Sequence, residues 1–344
     1  MQSRKIKVAG HDVEIAEAGK GAPLLYLHGF ADLHGASTRP LQFHDALAQA
    51  FRLIAPAHPC CAGSEEDESI ETIDDLAFRY VETIDALGFD RVDLVGTCVG
   101  GWIAAELAVR HPERVNRLAL IGATGLFVSG EPIGDMFMEA QPREGTDFSG
   151  MRRLLFADAA GGAANALFPD QRDAAQELNR YKTMRFASRI GFNPPYFYDP
   201  KLRQRLYRYA GPTLLLWGEE DRMVPRAHAE AYRKGFPNAR LRLIAAAGHS
   251  PQIEQPGKTA AALPSASANS ISRRPEKSVP SRGWAIMNIS PIGSPLTKRP
   301  DAPISARRLM RSGWRTASSA AIQPPTQVPT RSTRSKPSAS IVSM

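Results

Sequence analysis

Residues 91–102 read RVDLVGTCVGGW, and the fold of the chain follows from how that stretch divides. Val92, Leu94 and Val95 form an apolar, β-branched run of the kind that makes a buried strand, and the run stops at Gly96. Over residues 102–110 the apolar positions recur at helical spacing. Strand and helix are joined without slack, and Cys98 stands at the apex in a GxCxG frame that differs from the GxSxG elbow only in its central residue. So tight a turn strains the backbone of that residue, and its neighbours must be small. Gly96, Gly100 and Gly101 meet the demand. The sulfur is lifted out of the sheet to a helix N-terminus, where backbone N–H groups favour an anion. The competing reading is a buried cysteine packed as a small hydrophobe, so the rest of the chain has to decide.

Length and composition narrow the choice. The 344 residues suffice for a sizeable core. Three cysteines, two of them adjacent (Cys60, Cys61), cannot build a disulfide framework, which points to a reducing, cytoplasmic setting. The first residues lack the apolar core of a signal peptide, and no window resembles a membrane span. The formal charge of +8 suggests nucleic acid, but its distribution does not: from Lys258 onward there are 14 basic and 2 acidic residues, against 29 and 33 before it. The body is slightly acidic, so neither a nucleic-acid nor a membrane partner is expected.

Taken in order, residues 3–8 and 11–17 read as two short strands, and 22–27 (APLLYL) and 51–55 (FRLIA) as strands buried on both faces. Residues 74–87 have the spacing of an amphipathic helix, and 117–121 form the strand after the elbow helix. This alternation predicts an α/β chain with a mostly parallel sheet covered on both sides. Over residues 125–208 strand-like runs give way to helical segments rich in Met and aromatics, after which strands resume at 213–217 (TLLLW) and 241–244. An inserted helical cap accounts for the interruption. The expected division is a core over 1–124 and 209–257, the cap over 125–208, and a tail over 258–344. That tail holds 17 Ser and 11 Pro, a composition that cannot offset its ordering entropy, so disorder is expected.

A nucleophilic thiol needs a base, and the base needs an orienting acid. TLLLW runs into GEEDRMVP, which places Asp221 beyond a strand end, and the next strand runs into GHSPQIEQP, which places His249 in a loop. Nucleophile, acid and histidine thus come in the order Cys, Asp, His on one edge of the sheet.

Four motifs, LHGF at 27–30, GTCVGG at 96–101, GEEDRMVP at 218–225 and GHSPQIEQP at 248–256, make residues 3–256 resemble the α/β-hydrolase superfamily with a helical cap. The resemblance implies the α/β-hydrolase fold, a Cys98, His249 and Asp221 triad, and an oxyanion hole from the backbone N–H groups of Val99 and Phe30. His28 and Gly29 would support that loop, and Gly96 and Gly100 the elbow. Glu219 or Glu220 could replace Asp221 as the orienting acid. His34, His44, His58, His111 and His228 show no metal-ligand spacing, so neither metal nor organic cofactor is expected.

Three departures from the family stand out. Cysteine in place of serine resembles dienelactone hydrolases and polyhydroxyalkanoate synthases, and moves the expected substrate toward lactones, activated esters and thioesters. Cys60 and Cys61 occupy a loop where the family usually has glycines. After EQP, relatives usually continue with an amphipathic helix against the sheet, whereas this chain reaches Pro264 within two turns, so apolar sheet surface should be left uncovered. The reading is a hydrolase of a small acyl substrate working through an acyl-cysteine. An acyltransferase, a carbon–carbon bond hydrolase and a non-catalytic ligand-binding member of the fold remain as alternatives.

Overall fold

Every strand expected from the sequence is present, and most gain a residue or two at their ends. The computed structural model describes residues 1–139, 148–171, 173–191 and 195–263. In chain order the elements are β1 (Gln2–Val8), β2 (His11–Ala18), β3 (Pro23–Leu27), α1 (Gln42–Ala50), β4 (Arg52–Pro56), α2 (Ile73–Ala86), β5 (Val92–Thr97), α3 (Cys98–Arg110) and β6 (Val115–Ile121). Next come α4 (Met136–Glu139), α5 (Ser149–Leu155), α6 (Gly162–Leu167), α7 (Ala174–Gly191) and α8 (Leu202–Arg205). The chain then forms β7 (Thr213–Gly218), α9 (Arg226–Gly235), β8 (Ala239–Ile244), α10 (Pro251–Glu254) and α11 (Pro256–Ala262).

The strands make one sheet in the order β1-β2-β4-β3-β5-β6-β7-β8. β1 with β2 and β2 with β4 are antiparallel, and all other neighbours are parallel. Parallel strands need crossovers, and the helices that supply them bury both faces. Successive residues of β3 divide accordingly: Leu25 and Leu27 join the core under α2, α3 and α9, while Leu24 and Tyr26 pack with Phe43 and Leu47 of α1. Helix α2 starts where Thr72 accepts the Asp75 N–H at 3.2 Å and Asp75 accepts the Thr72 N–H at 2.8 Å, a reciprocal cap that satisfies two end donors.

Between β6 and β7 the chain leaves the sheet and carries α4 to α8. Its outgoing and returning paths meet where the Gly125 N–H donates to Phe197 O at 2.9 Å and the Asp199 N–H to Gly125 O at 3.1 Å. This insertion lies over the loops at the carboxyl ends of the strands. Phe168 stacks on Phe30 with centroids 5.9 Å apart, and Phe186 stacks on His58 at 4.5 Å.

Two boundaries differ from expectation. The elbow helix begins at Cys98 rather than Trp102, with its two glycines inside the first turn. The fold also extends past residue 258, the expected start of the tail. Helix α11 covers Pro256–Ala262, opened by a proline and continued by an alanine run, and it buries Thr259, whose hydroxyl donates to Pro251 O at 2.8 Å. Residues 264–344, the rest of the expected tail, lie outside the described residues. Among the described residues nothing closes a groove of about 740 Å³ on the α1 side of the sheet, whose lining includes Leu24, Val95, Ala119, Leu214 and Leu263. No described helix is long and apolar enough to cross a membrane.

Candidate active site

Cys98 has φ +50°, a left-handed backbone angle that side chains rarely adopt, and it is buried. The turn closes only because backbones approach one another. A Cβ on Gly100 would run into the Leu27 carbonyl, and one on Gly29 would lie 2.8 Å from Cys98 Cβ. The LHGF loop therefore passes directly beside the sulfur-bearing residue.

Thr97 stands at the N-cap of α3 but makes no capping hydrogen bond; its hydroxyl donates to Asp32 instead. The first-turn N–H groups of α3, Val99 among them, are left without a side-chain cap, which is the condition for an anion site at a helix start. The Phe30 N–H likewise meets no acceptor among the described residues, while its carbonyl accepts from Ala36 at 2.6 Å.

Asp221 and His249 come from the loops after β7 and β8. His249 Nδ1 lies 3.0 Å from Asp221 Oδ2 and 3.2 Å from Oδ1, and both side chains are buried. The Met223 and Val224 N–H groups donate to Asp221 Oδ1 at 2.9 and 2.8 Å, which fixes the carboxylate before the imidazole meets it. Burial works against a charged His249, but the Asp221 charge and then Cys98 outweigh it, and the imidazole holds its proton well above the usual histidine range. Its Nε2 is buried with no protein partner in hydrogen-bonding geometry. Glu219 and Glu220, the alternative acids, are exposed, and the imidazole is bonded to Asp221.

His28 braces the loop rather than facing the sulfur. Its Nε2 accepts the His58 N–H at 3.0 Å, and His58 Nε2 returns a bond to His28 O at 2.8 Å. Burial holds His28, His34, His44 and His58 below the usual range, His44 at about 4 and His58 at about 3, so these rings are neutral packing groups at pH 7. Cys61 is buried and Cys60 partly so, and burial pushes both thiols up, away from reactivity. Cys60 (φ +70°) and Ala62 (φ +45°) take left-handed angles, which glycine adopts at less cost.

Three groups of consequence carry no signal of their own in the sequence. Asp32, fully buried, accepts the Gly29 N–H at 3.1 Å, the Thr97 hydroxyl and the Gln252 amide at 3.1 Å, so one carboxylate joins the LHGF loop, the elbow and the histidine loop. Glu254 accepts the Gly248 N–H at 2.6 Å and the Ala157 and Asp158 N–H groups at 2.9 and 3.2 Å, which ties the histidine loop to the insertion. Gln252 and Glu254 lie in the GHSPQIEQP motif, and Asp32 follows LHGF by two residues, but only the convergence of loops gives them roles. A separate carboxylate group, Asp74, Glu106 and Asp199, has oxygens within 4.8 Å of one another. It surrounds Arg110, which reaches Glu106 at 3.1 Å, and burial pushes Glu106 up to about 7 against that pull. The guanidinium supplies the positive charge there.

The space between Gly29, Phe30, Cys98, His249 and Gln252 is about 10 Å³, and Leu155 of α5 is part of its lining. A wider groove of about 810 Å³ between residues 36–42 and the insertion reaches Gln252 from outside.

Comparison with known proteins agrees with the fold. Residues 22–256 match the family model for the alpha/beta hydrolase fold. A 2-hydroxymuconate semialdehyde hydrolase of Pseudomonas sp. strain CF600 is 30% identical over 270 residues, covering 75% of this chain and 90% of that protein. The dihydrolipoyllysine-residue acetyltransferase component of the acetoin cleaving system of Cupriavidus necator is 30% identical over 259 residues, covering 72% of this chain. The chain spans 64% of that relative's length. Among solved structures, a serine hydrolase involved in carbazole degradation superposes with a TM-score of 0.58 at 26% identity, covering 76% of this chain and 96% of that one.

Proposed function

Because this chain belongs to the alpha/beta hydrolase family, we propose that it hydrolyses a small carboxylic acyl compound, an ester, lactone or thioester, through an acyl-cysteine on Cys98. The observation that carries the proposal is the buried Asp221 and His249 pair next to a cysteine held at φ +50° on an uncapped helix start. Cys98 Sγ attacks the carbonyl carbon, and the developing oxyanion is met by the Val99 and Phe30 N–H groups. His249 then protonates the leaving group, so that the acyl–oxygen or acyl–sulfur bond breaks and a thioester remains on Cys98. Asp221 keeps the imidazole in the tautomer that presents Nε2. Water, deprotonated by His249, cleaves the thioester and restores the thiol. The helices over 125–208 act as the cap that shapes the acyl site, and the reaction needs neither metal nor organic cofactor.

A second reading, carbon–carbon bond hydrolysis, is favoured by the 2-hydroxymuconate semialdehyde hydrolase, most of whose length the chain matches. The acetyltransferase relative supports acyl transfer from the same cysteine, although the chain spans only 64% of it. One experiment separates them: wild type and Cys98→Ala are assayed on nitrophenyl esters, a lactone, an acyl thioester and a ring-cleavage vinylogous acid, with and without added alcohols. The proposal expects turnover of the acyl compounds, loss in the Ala variant, and water as the main acceptor. Turnover confined to the vinylogous acid, or capture by alcohols in preference to water, would replace it with one of the other readings.

A further inference from the structure

Two residues lining the small space beside Cys98 each hold a buried polar atom with no protein partner in hydrogen-bonding geometry: His249 Nε2 and Gln252 Oε1. Gln252 is 3% exposed, and the direction of its amide is set. Its nitrogen end donates to Asp32 Oδ1 at 3.1 Å, and a carboxylate offers only acceptors, so the oxygen end must point the other way. A buried acceptor left unpaired costs about 1–3 kcal/mol, and such an atom at a reaction centre calls for a donor supplied during the reaction. The space of about 10 Å³ has the size of one water molecule. A water there needs several polar neighbours, and once His249 has given its Nε2 proton to the leaving group this site offers two acceptors together with the backbone of the LHGF loop.

From this geometry we infer that Gln252 Oε1 and His249 Nε2 together hold the water that hydrolyses the acyl-cysteine, with Asp32 as the positioning residue that keeps the Gln252 amide turned toward it. The inference rests on the acyl-cysteine reading above. One O–H of the water donates to Gln252 Oε1, and the other donates to His249 Nε2. As the water oxygen bonds to the carbonyl carbon, the second proton passes to Nε2. When the carbon–sulfur bond breaks, that proton returns to the departing sulfur, and the carboxylic acid leaves. Because Gln252 also lines the outer groove, it stands where water would enter once the leaving group has gone.

The test is burst kinetics with p-nitrophenyl acetate. Gln252→Met keeps the size of the side chain and removes the acceptor. It should retain a burst of one nitrophenol per chain at the wild-type acylation rate, while deacylation falls about tenfold, the worth of one hydrogen bond in the rate-limiting step. Gln252→Asn, which withdraws the oxygen without removing it, should fall between the two, so the result does not depend on one variant folding. Asp32→Asn, which lets the amide turn over, should slow deacylation as well. Hydroxylamine, a small nucleophile that needs no such acceptor, should restore turnover in the Met variant. Wild-type deacylation in both Gln252 variants, or equal slowing of acylation and deacylation, would overturn the inference and leave the acyl-cysteine standing. Failure of the wild type to form a Cys98 adduct would overturn both.

Discussion

Glu254 Oε2 accepts the Gly248 N–H at 2.6 Å, so the residue before the histidine of the site is anchored by a carboxylate six positions later. The other oxygen of that carboxylate holds the Ala157 and Asp158 N–H groups of the insertion. Replacing Glu254 by Ala leaves three N–H groups without their acceptor and should lower stability by about 2 kcal/mol. Urea unfolding checks this, and an unchanged midpoint would mean the three donors find other partners at no cost.

Gly29 gives a steric prediction. Its missing Cβ would sit 2.8 Å from Cys98 Cβ, closer than two side chains pack. Gly29→Ala should shift the loop that carries the Phe30 N–H, reducing kcat for nitrophenyl esters by a hundredfold or so, as loss of an oxyanion donor does. The expected change is in kcat with KM nearly constant. A variant with wild-type kcat would remove the LHGF loop from the oxyanion site.

The pH dependence of stability follows from His249. Folding raises its proton affinity above the unfolded value of 6.5, so its pairing with Asp221 stabilises the fold fully below that pH and fades as pH rises through the higher folded value. Asp221→Asn removes the main raising charge. The stability gap between wild type and variant should therefore be widest just below pH 6.5 and close toward alkaline pH. Denaturant melts across that window measure it, and a gap that widened with rising pH would show that Asp221 stabilises the fold by another route.

Leu155 lines the space beside Cys98. Truncating this buried leucine to alanine should cost about 2–5 kcal/mol of stability and open room for a larger acyl group. The ratio of kcat/KM for a butyrate ester to that for an acetate should rise in Leu155→Ala. An unaltered ratio would place the acyl group elsewhere.

Much of this architecture is legible in the sequence because parallel strands buried on both faces write continuous apolar runs. β3, β5 and β7 are such runs, and they lead into the LHGF loop, Cys98 and Asp221, whereas His249 follows β8, a strand only partly buried. Helix α1 carries a weaker signal: it is nine residues long and buries His44 beside Phe43 and Leu47, so its periodicity is interrupted by a polar residue on the inner face. The start of α3 is hidden for a related reason. Gly100 and Gly101 have low helix propensity, and they are helical because the elbow requires close backbone approach. Asp32 and Gln252 lie 220 residues apart, and no periodicity links them. Their relation exists only after the β3, β5 and β8 loops converge on one edge. Helix α11, the two turns before Pro264, is weakly signalled because its alanine run has few apolar side chains and its contacts are mainly to α1 and α10, distant or irregular in sequence pattern.

The most direct test of the account is peptide mapping by mass spectrometry after brief exposure to p-nitrophenyl acetate at neutral pH. The chain offers three thiols, of which only Cys98 has a histidine and carboxylate pair beside it. The account predicts one acetyl group per chain, on Cys98, lost on standing and never formed in His249→Ala. Acetylation of Cys60 or Cys61 instead, or undiminished ester turnover in Cys98→Ala, would contradict it.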